Sequence, residues 1–182
     1  MRKICLFLIT AILVLCGGCA SFKKELIRSG SQNEAIQNAI LDFSNTSRLY
    51  KIDVVFSVQT GYKGKKVLSV SIGKNNMKML LTENTKVGSK STLPSRFVEK
   101  EGKLFYWWDN DYPLTEEALA VLHKYNLLQD DKDGTIKFPD FVIDDAQKAA
   151  HYFFCKNDLS KYKKVITNKG IGYYDPPKLN CK

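Results

Sequence analysis

Two stretches, IDVVFSVQT at residues 52–60 and KVLSVSIG at residues 66–73, constrain the fold most. Both are rich in β-branched residues. In the second, Val67, Ser69 and Ser71 alternate with Leu68, Val70 and Ile72. A period of two puts one set on each side of a strand, so the Leu-Val-Ile set faces a core. Gly61 and Gly64 punctuate the pair, and together they read as neighbouring antiparallel strands. NNMKMLLT follows a Gly73-Lys74-Asn75-Asn76 turn signal and reads as a third strand of the same meander. RFVEKEGKLFYWW reads as a hairpin turning at Glu101-Gly102. Its second arm, Leu104 to Trp108, is five consecutive large apolar residues, the pattern of a strand buried on both faces.

Helical spacing appears on either side of these strands. Ala35, Ile36, Ala39, Ile40 and Phe43 form a 3.6-period stripe, so residues 32–44 are expected to be an amphipathic helix. Thr115 is placed to cap a second helix, with Glu116 and Glu117 in the first turn where the helix dipole favours anions. Ala118, Val121, Leu122 and Tyr125 line its apolar face. Asp144 or Asp145 opens an expected third helix, striped by Ala146, Ala149, Ala150 and Phe153 and ending near Cys155. The expected class is therefore α+β: an antiparallel sheet of about five strands, an N-terminal helix and a C-terminal helical pair. No repeat or boundary divides residues 32–182, which read as one domain.

The first twenty residues belong to a different part of the chain's life. Arg2 and Lys3 precede an apolar run from Ile4 to Cys16, broken by Thr10. A spanning helix needs about 20 apolar residues, so the run is too short to cross a bilayer and suits a signal peptide. Leu15-Cys16-Gly17-Gly18-Cys19 then resembles the lipoprotein signals of bacteria, in which the cysteine becomes the first mature residue and carries lipid. Cys16 departs from the leucine usual at that position; Gly18, directly before Cys19, fits. The resemblance implies residues 1–18 as signal peptide, Cys19 as the lipidated residue and 19–31 as a tether. Ala20, where an inner-membrane protein of this kind has Asp, implies the outer membrane. An ordinary cleaved signal, with Cys19 a spare thiol, is the competing reading. The ending HYFFCKNDLSKYKKVITNKGIGYYDPPKLNC resembles that of an envelope lipoprotein family, and the resemblance implies no activity.

Charge and cysteines follow from that placement. The 182-residue chain carries a net +9, and loss of Arg2 and Lys3 with the signal lowers this by two. A basic surface can meet an anionic glycan, lipid or acidic protein, or serve solubility alone. No nucleic-acid recognition motif is present. Cys5 and Cys16 leave with the signal, Cys19 takes lipid, and Cys155 and Cys181 remain. In an oxidising compartment they are expected to form a disulfide. A zinc site using both cysteines with His123 and His151 has no matching ligand spacing.

Three constellations could carry chemistry. QDDKDGTIKFPD, residues 129–140, partly resembles a calcium-binding EF-hand loop through Asp131, Asp133, Gly134 and Ile136. Gln129 and Asp140 replace its two strongest carboxylate ligands, which leaves an acidic turn as the simpler reading. Trp107, Trp108, Asp109, Asp111 and Tyr112 mix aromatic faces with carboxylates, as sugar-binding surfaces do; the competing reading is core aromatics followed by an acidic loop. Asp109, Asp111 and Glu116 could form an acid pair for a hydrolase. No nucleophile motif, zinc-protease motif or phosphate loop is present. No cofactor is called for. The expected function is a lipid-anchored, non-catalytic binding protein of the bacterial envelope. The alternative is an envelope hydrolase or carbohydrate-handling enzyme using the acids near 109–117.

Overall fold

The computed structural model describes residues 30–75, 78–82, 85–90, 92–130, 149–167 and 177–182. Helix α1 (Gly30–Thr46) presents Ala35, Ile36, Ala39, Ile40 and Phe43, and all five are fully buried. The last turn closes on itself: Ser44 Oγ donates to the Ile40 carbonyl (2.6 Å) and Thr46 Oγ1 to that of Asp42 (2.7 Å). Ser47 then accepts from the Leu49 amide and caps the short helix α2 (Arg48–Ile52).

The chain continues through strands β1 (Val55–Lys63), β2 (Val67–Lys74), β3 (Met79–Leu81), β4 (Arg96–Lys100) and β5 (Lys103–Trp107), helix α3 (Glu116–Lys124), and strands β6 (Leu128–Asp130), β7 (Ala149–Cys155) and β8 (Asp158–Thr167). Six strands form one sheet in the order β4-β5-β1-β2-β7-β8, and β3 pairs with β6 in a small second sheet. On one face α1 and α2 cover Leu68, Val70, Ile72, Phe105, Trp107, Tyr152 and Phe154. Phe43, Tyr50, Phe56 and Phe105 meet there with ring centroids 5.1–6.4 Å apart. The other face, at the β5 end, is covered by α3: Leu104 and Tyr106 pack with Leu114, Ala118, Val121 and Leu122. Burying Ile36, Ile40 and Phe43 contributes roughly 1.5–3 kcal/mol each. Among the described residues no helix is long and apolar enough to cross a membrane.

The expected α+β arrangement is overturned at three points. The sheet is mixed and has six strands, because β1 runs parallel to β5, with Val55, Phe56 and Ser57 opposite Leu104, Phe105 and Tyr106. The β3 segment leaves the meander and pairs in parallel with β6, so β2 takes β7 as its second neighbour. The C-terminal helical pair does not form. Its first member is α3, but Ala149, Ala150 and Phe153 lie on strand β7 between β2 and β8. All seven β7 residues are buried. A short, almost wholly apolar run, here interrupted only by His151, fits a helix stripe and a central strand equally; only its neighbours distinguish them. Residues 131–148, which include the expected start of that helix, lie outside the described residues.

Candidate functional site

The Trp107–Tyr112 segment leaves the end of β5. Strand alternation sends its two indoles to opposite sides of the sheet. Trp107 is 3% exposed and joins the core under α1. Arg96, its cross-strand partner on β4, has its guanidinium 6.0 Å from the Trp107 ring and 4.1 Å from the Tyr112 ring. The cation thus lies close over Tyr112 and at the outer limit of reach of Trp107. Trp108 is 45% exposed. Its Nε1 donates to the Thr92 carbonyl (2.7 Å), and its ring meets Tyr106 edge-on at 5.6 Å. The indole is held at two points with one face toward water. Asp109 works as a turn builder: Oδ1 accepts from the Asp111 amide (3.0 Å), its carbonyl accepts from Tyr112 N (3.1 Å), and Ser95 Oγ donates to the same carbonyl (3.1 Å). The five sequence candidates therefore divide. Trp107 and Tyr112 group around Arg96, while Trp108 is a separate exposed platform beside the Asp109 turn.

The structure assembles two polar clusters that sequence reading missed. Asp42, on α1, accepts from Lys164 Nζ (2.6 Å) and Tyr152 Oη (2.8 Å) at Oδ2, and from Tyr162 Oη (3.3 Å) at Oδ1. Lys164 also donates to Thr46 Oγ1. Burial pushes the Asp42 carboxyl up, but the hydrogen bonds from Lys164, Tyr152 and Thr46, with the Lys164 charge, outweigh it and hold it below the ordinary value. Burial and the Asp42 bond together push the Tyr152 phenol well up. The second cluster lies on the opposite face. His151 Nδ1 is 2.8 Å from Ser71 Oγ, and Nε2 is 3.1 Å from Thr167 Oγ1. Burial lowers the affinity of His151 for a proton, so the neutral ring is favoured. Sequence separations of 110 to 122 residues tie Asp42 to its partners, which is why no local motif reveals them.

Cys155 and Cys181 stand as a disulfide, with Cα atoms 5.3 Å apart, within the ordinary range. His123 is exposed on α3. Cys19 and the tether to residue 29 lie outside the described residues, and α1 takes in the tether's last two positions, 30 and 31. Asp131, Asp133 and Asp140 also lie outside them. Among the described residues no three His, Cys, Asp or Glu side chains stand where they could hold a metal ion. No protein family, curated protein or solved structure matches the chain.

Proposed function

We propose that the protein is a lipid-anchored, non-catalytic binding protein of the bacterial envelope, tethered by Cys19. The arrangement of Arg2-Lys3, the apolar run to Cys16 and Gly17-Gly18-Cys19 supports the anchor. The binding role is carried by one observation: Trp108 is exposed yet held by its Nε1 bond to Thr92 and its contact with Tyr106. A rigid aromatic face loses little freedom on contact, and indoles suit the apolar faces of sugars. Supporting the non-catalytic role, Asp42, His151 and Asp109 all serve the fold, each bonded by neighbours that fix it.

Two experiments test the reading. Membrane fractionation of wild type and Cys19→Ala from a bacterial host, with a 1 M salt wash that removes electrostatic binding, should move the variant to the soluble fraction; equal membrane association after the wash would refute the tether. Titration with soluble peptidoglycan fragments, followed by tryptophan fluorescence, should shield an indole from iodide, and Trp108→Ala should abolish the effect. Unchanged quenching at saturating fragment would refute Trp108 as a glycan platform.

A further inference from the structure

One end of the six-stranded sheet gathers lysines around an exposed tyrosine. The β1–β2 turn carries Lys65 and Lys66, both exposed, and Tyr62 at the end of β1 is 55% exposed. The β7–β8 turn lies beside it: the Lys156 amide donates to the Lys66 carbonyl (2.9 Å), and Lys156 Nζ sits 5.6 Å from the Tyr62 ring centroid. Cys155, opposite Val67 in the sheet, holds Cys181 by the disulfide, which brings Lys182 to the same end. The nearest described carboxylate on these turns, Asp158, is occupied by Lys161 (2.9 Å) and Ser160 (2.5 Å).

The N-terminal end of α1 lies at this pole as well. Gln32 Nε2 donates to Thr60 Oγ1 (2.5 Å), two residues before Tyr62. The start of α1, from which the chain leads back toward Cys19, therefore lies at the lysine end. Ten residues separate Cys19 from Gly30. Fully extended, that length reaches at most about 40 Å.

We propose that this basic pole, Lys65, Lys66, Lys156 and Lys182 around Tyr62, docks on the anionic phospholipid surface of the membrane that holds the lipid. The proposal rests on Cys19 as the anchor point. The occupant is chosen by two facts. The lysines complement anionic headgroups, and the tether delivers this end of the domain to the bilayer that carries them. A tyrosine among lysines adds an amphipathic ring suited to the interface. The consequence is orientation: β5 runs parallel to β1 and so points the Trp108 platform toward this same end of the sheet, and docking holds it in a fixed attitude relative to the membrane.

The test uses the mature chain with Cys19→Ala, so that no acyl chain contributes. Both hydrophobic clusters lie wholly within residues 35–159, so this chain keeps its entire described core. It is co-sedimented with phosphatidylcholine vesicles and with vesicles in which one lipid in three is phosphatidylglycerol. Wild type should pellet with the anionic vesicles only and be released by 1 M salt, where screening shortens to about 3 Å. Lys65→Glu with Lys66→Glu should bind at least about thirtyfold more weakly, given the worth of a lysine near an anionic surface. Lys51→Glu with Lys78→Glu makes the same charge change at the opposite pole and should bind as wild type. Equal loss in both double variants, equal binding to neutral vesicles, or no binding to either vesicle overturns the proposal. Because the acyl chain is absent, these outcomes leave the Cys19 reading to be judged by fractionation alone. A melting curve shared by the three chains shows that folding is not the variable.

Discussion

Asp42 receives donors from one tyrosine buried under α1, a second tyrosine and a lysine, all on β7 and β8. Asp42→Ala leaves Tyr152 Oη and Lys164 without their acceptor at a half-buried site, and should destabilise the fold by about 2–3 kcal/mol. Chemical denaturation measures it. Asp42 binds a proton less readily folded than unfolded, so its stabilisation is present above the ordinary value of 3.8 and is lost as pH falls through the lowered folded value. Asp42→Asn should flatten the stability curve in that acid range and lower it near neutrality, where the carboxylate's stabilisation is otherwise present. His151 acts in a different window. Folding lowers its pKa below the ordinary 6.5, so the unfolded chain takes up the proton first. Stability therefore declines as pH falls below about 6.5 and levels off once the folded ring also protonates. His151→Gln should remove that part of the slope while the Asp42 part below pH 4 stays. Melting temperatures from pH 3 to 8 separate the two groups.

At the scale of the element, the β4–β5 hairpin turns through Glu101 and Gly102, both with positive φ (53° and 75°). That backbone matches the right-handed twist of the strands it joins. A Cβ on Gly102 would meet nothing within 4 Å, so Gly102→Ala should cost about 1–2 kcal/mol from backbone strain alone. Glu101 adopts the same region and is held there by Tyr50 Oη, which donates to its carboxylate (2.8 Å) and links the turn to α2. Helix α3 depends on its cap: Thr115 Oγ1 accepts from the Ala118 amide (3.1 Å). Thr115→Ala should cost roughly 1 kcal/mol and Thr115→Ser little, read by thermal melts of the two variants.

The whole molecule is two layers on a mixed sheet, closed at its basic end by the Cys155–Cys181 bond. The bond joins central strand β7 to the chain's last residues across 26 positions. Reduction should lower stability by roughly 3–4 kcal/mol on chain-entropy grounds, and the melting temperature by about 10 °C. Mass spectrometry of unreduced protein checks the pairing directly. Two free thiols would remove the tie, and a melt insensitive to reductant would show that the tail is held by packing instead.

Local order fixed the α1 stripe, the β1–β2 alternation, the Thr115 cap and the Glu101-Gly102 turn, because each is written within one helical turn or one pleat. Ala35 to Phe43 recur at 3.6 and Leu68 to Ile72 at 2, and the same residues are the buried ones. Tertiary structure decided what no local period encodes. Ala149–Cys155 is buried at every position and apolar except for His151, so its strand state came from having β2 on one side and β8 on the other. The parallel pairing of β1 with β5 joins segments about fifty residues apart. Trp107 and Trp108 are adjacent in the chain, and the pleat parts them into core and surface. Asp42 acquired its partners only when α1 crossed β7 and β8. Signals carried by side-chain period survive in one dimension; pairing and long-range hydrogen bonding depend on which segments the core brings together.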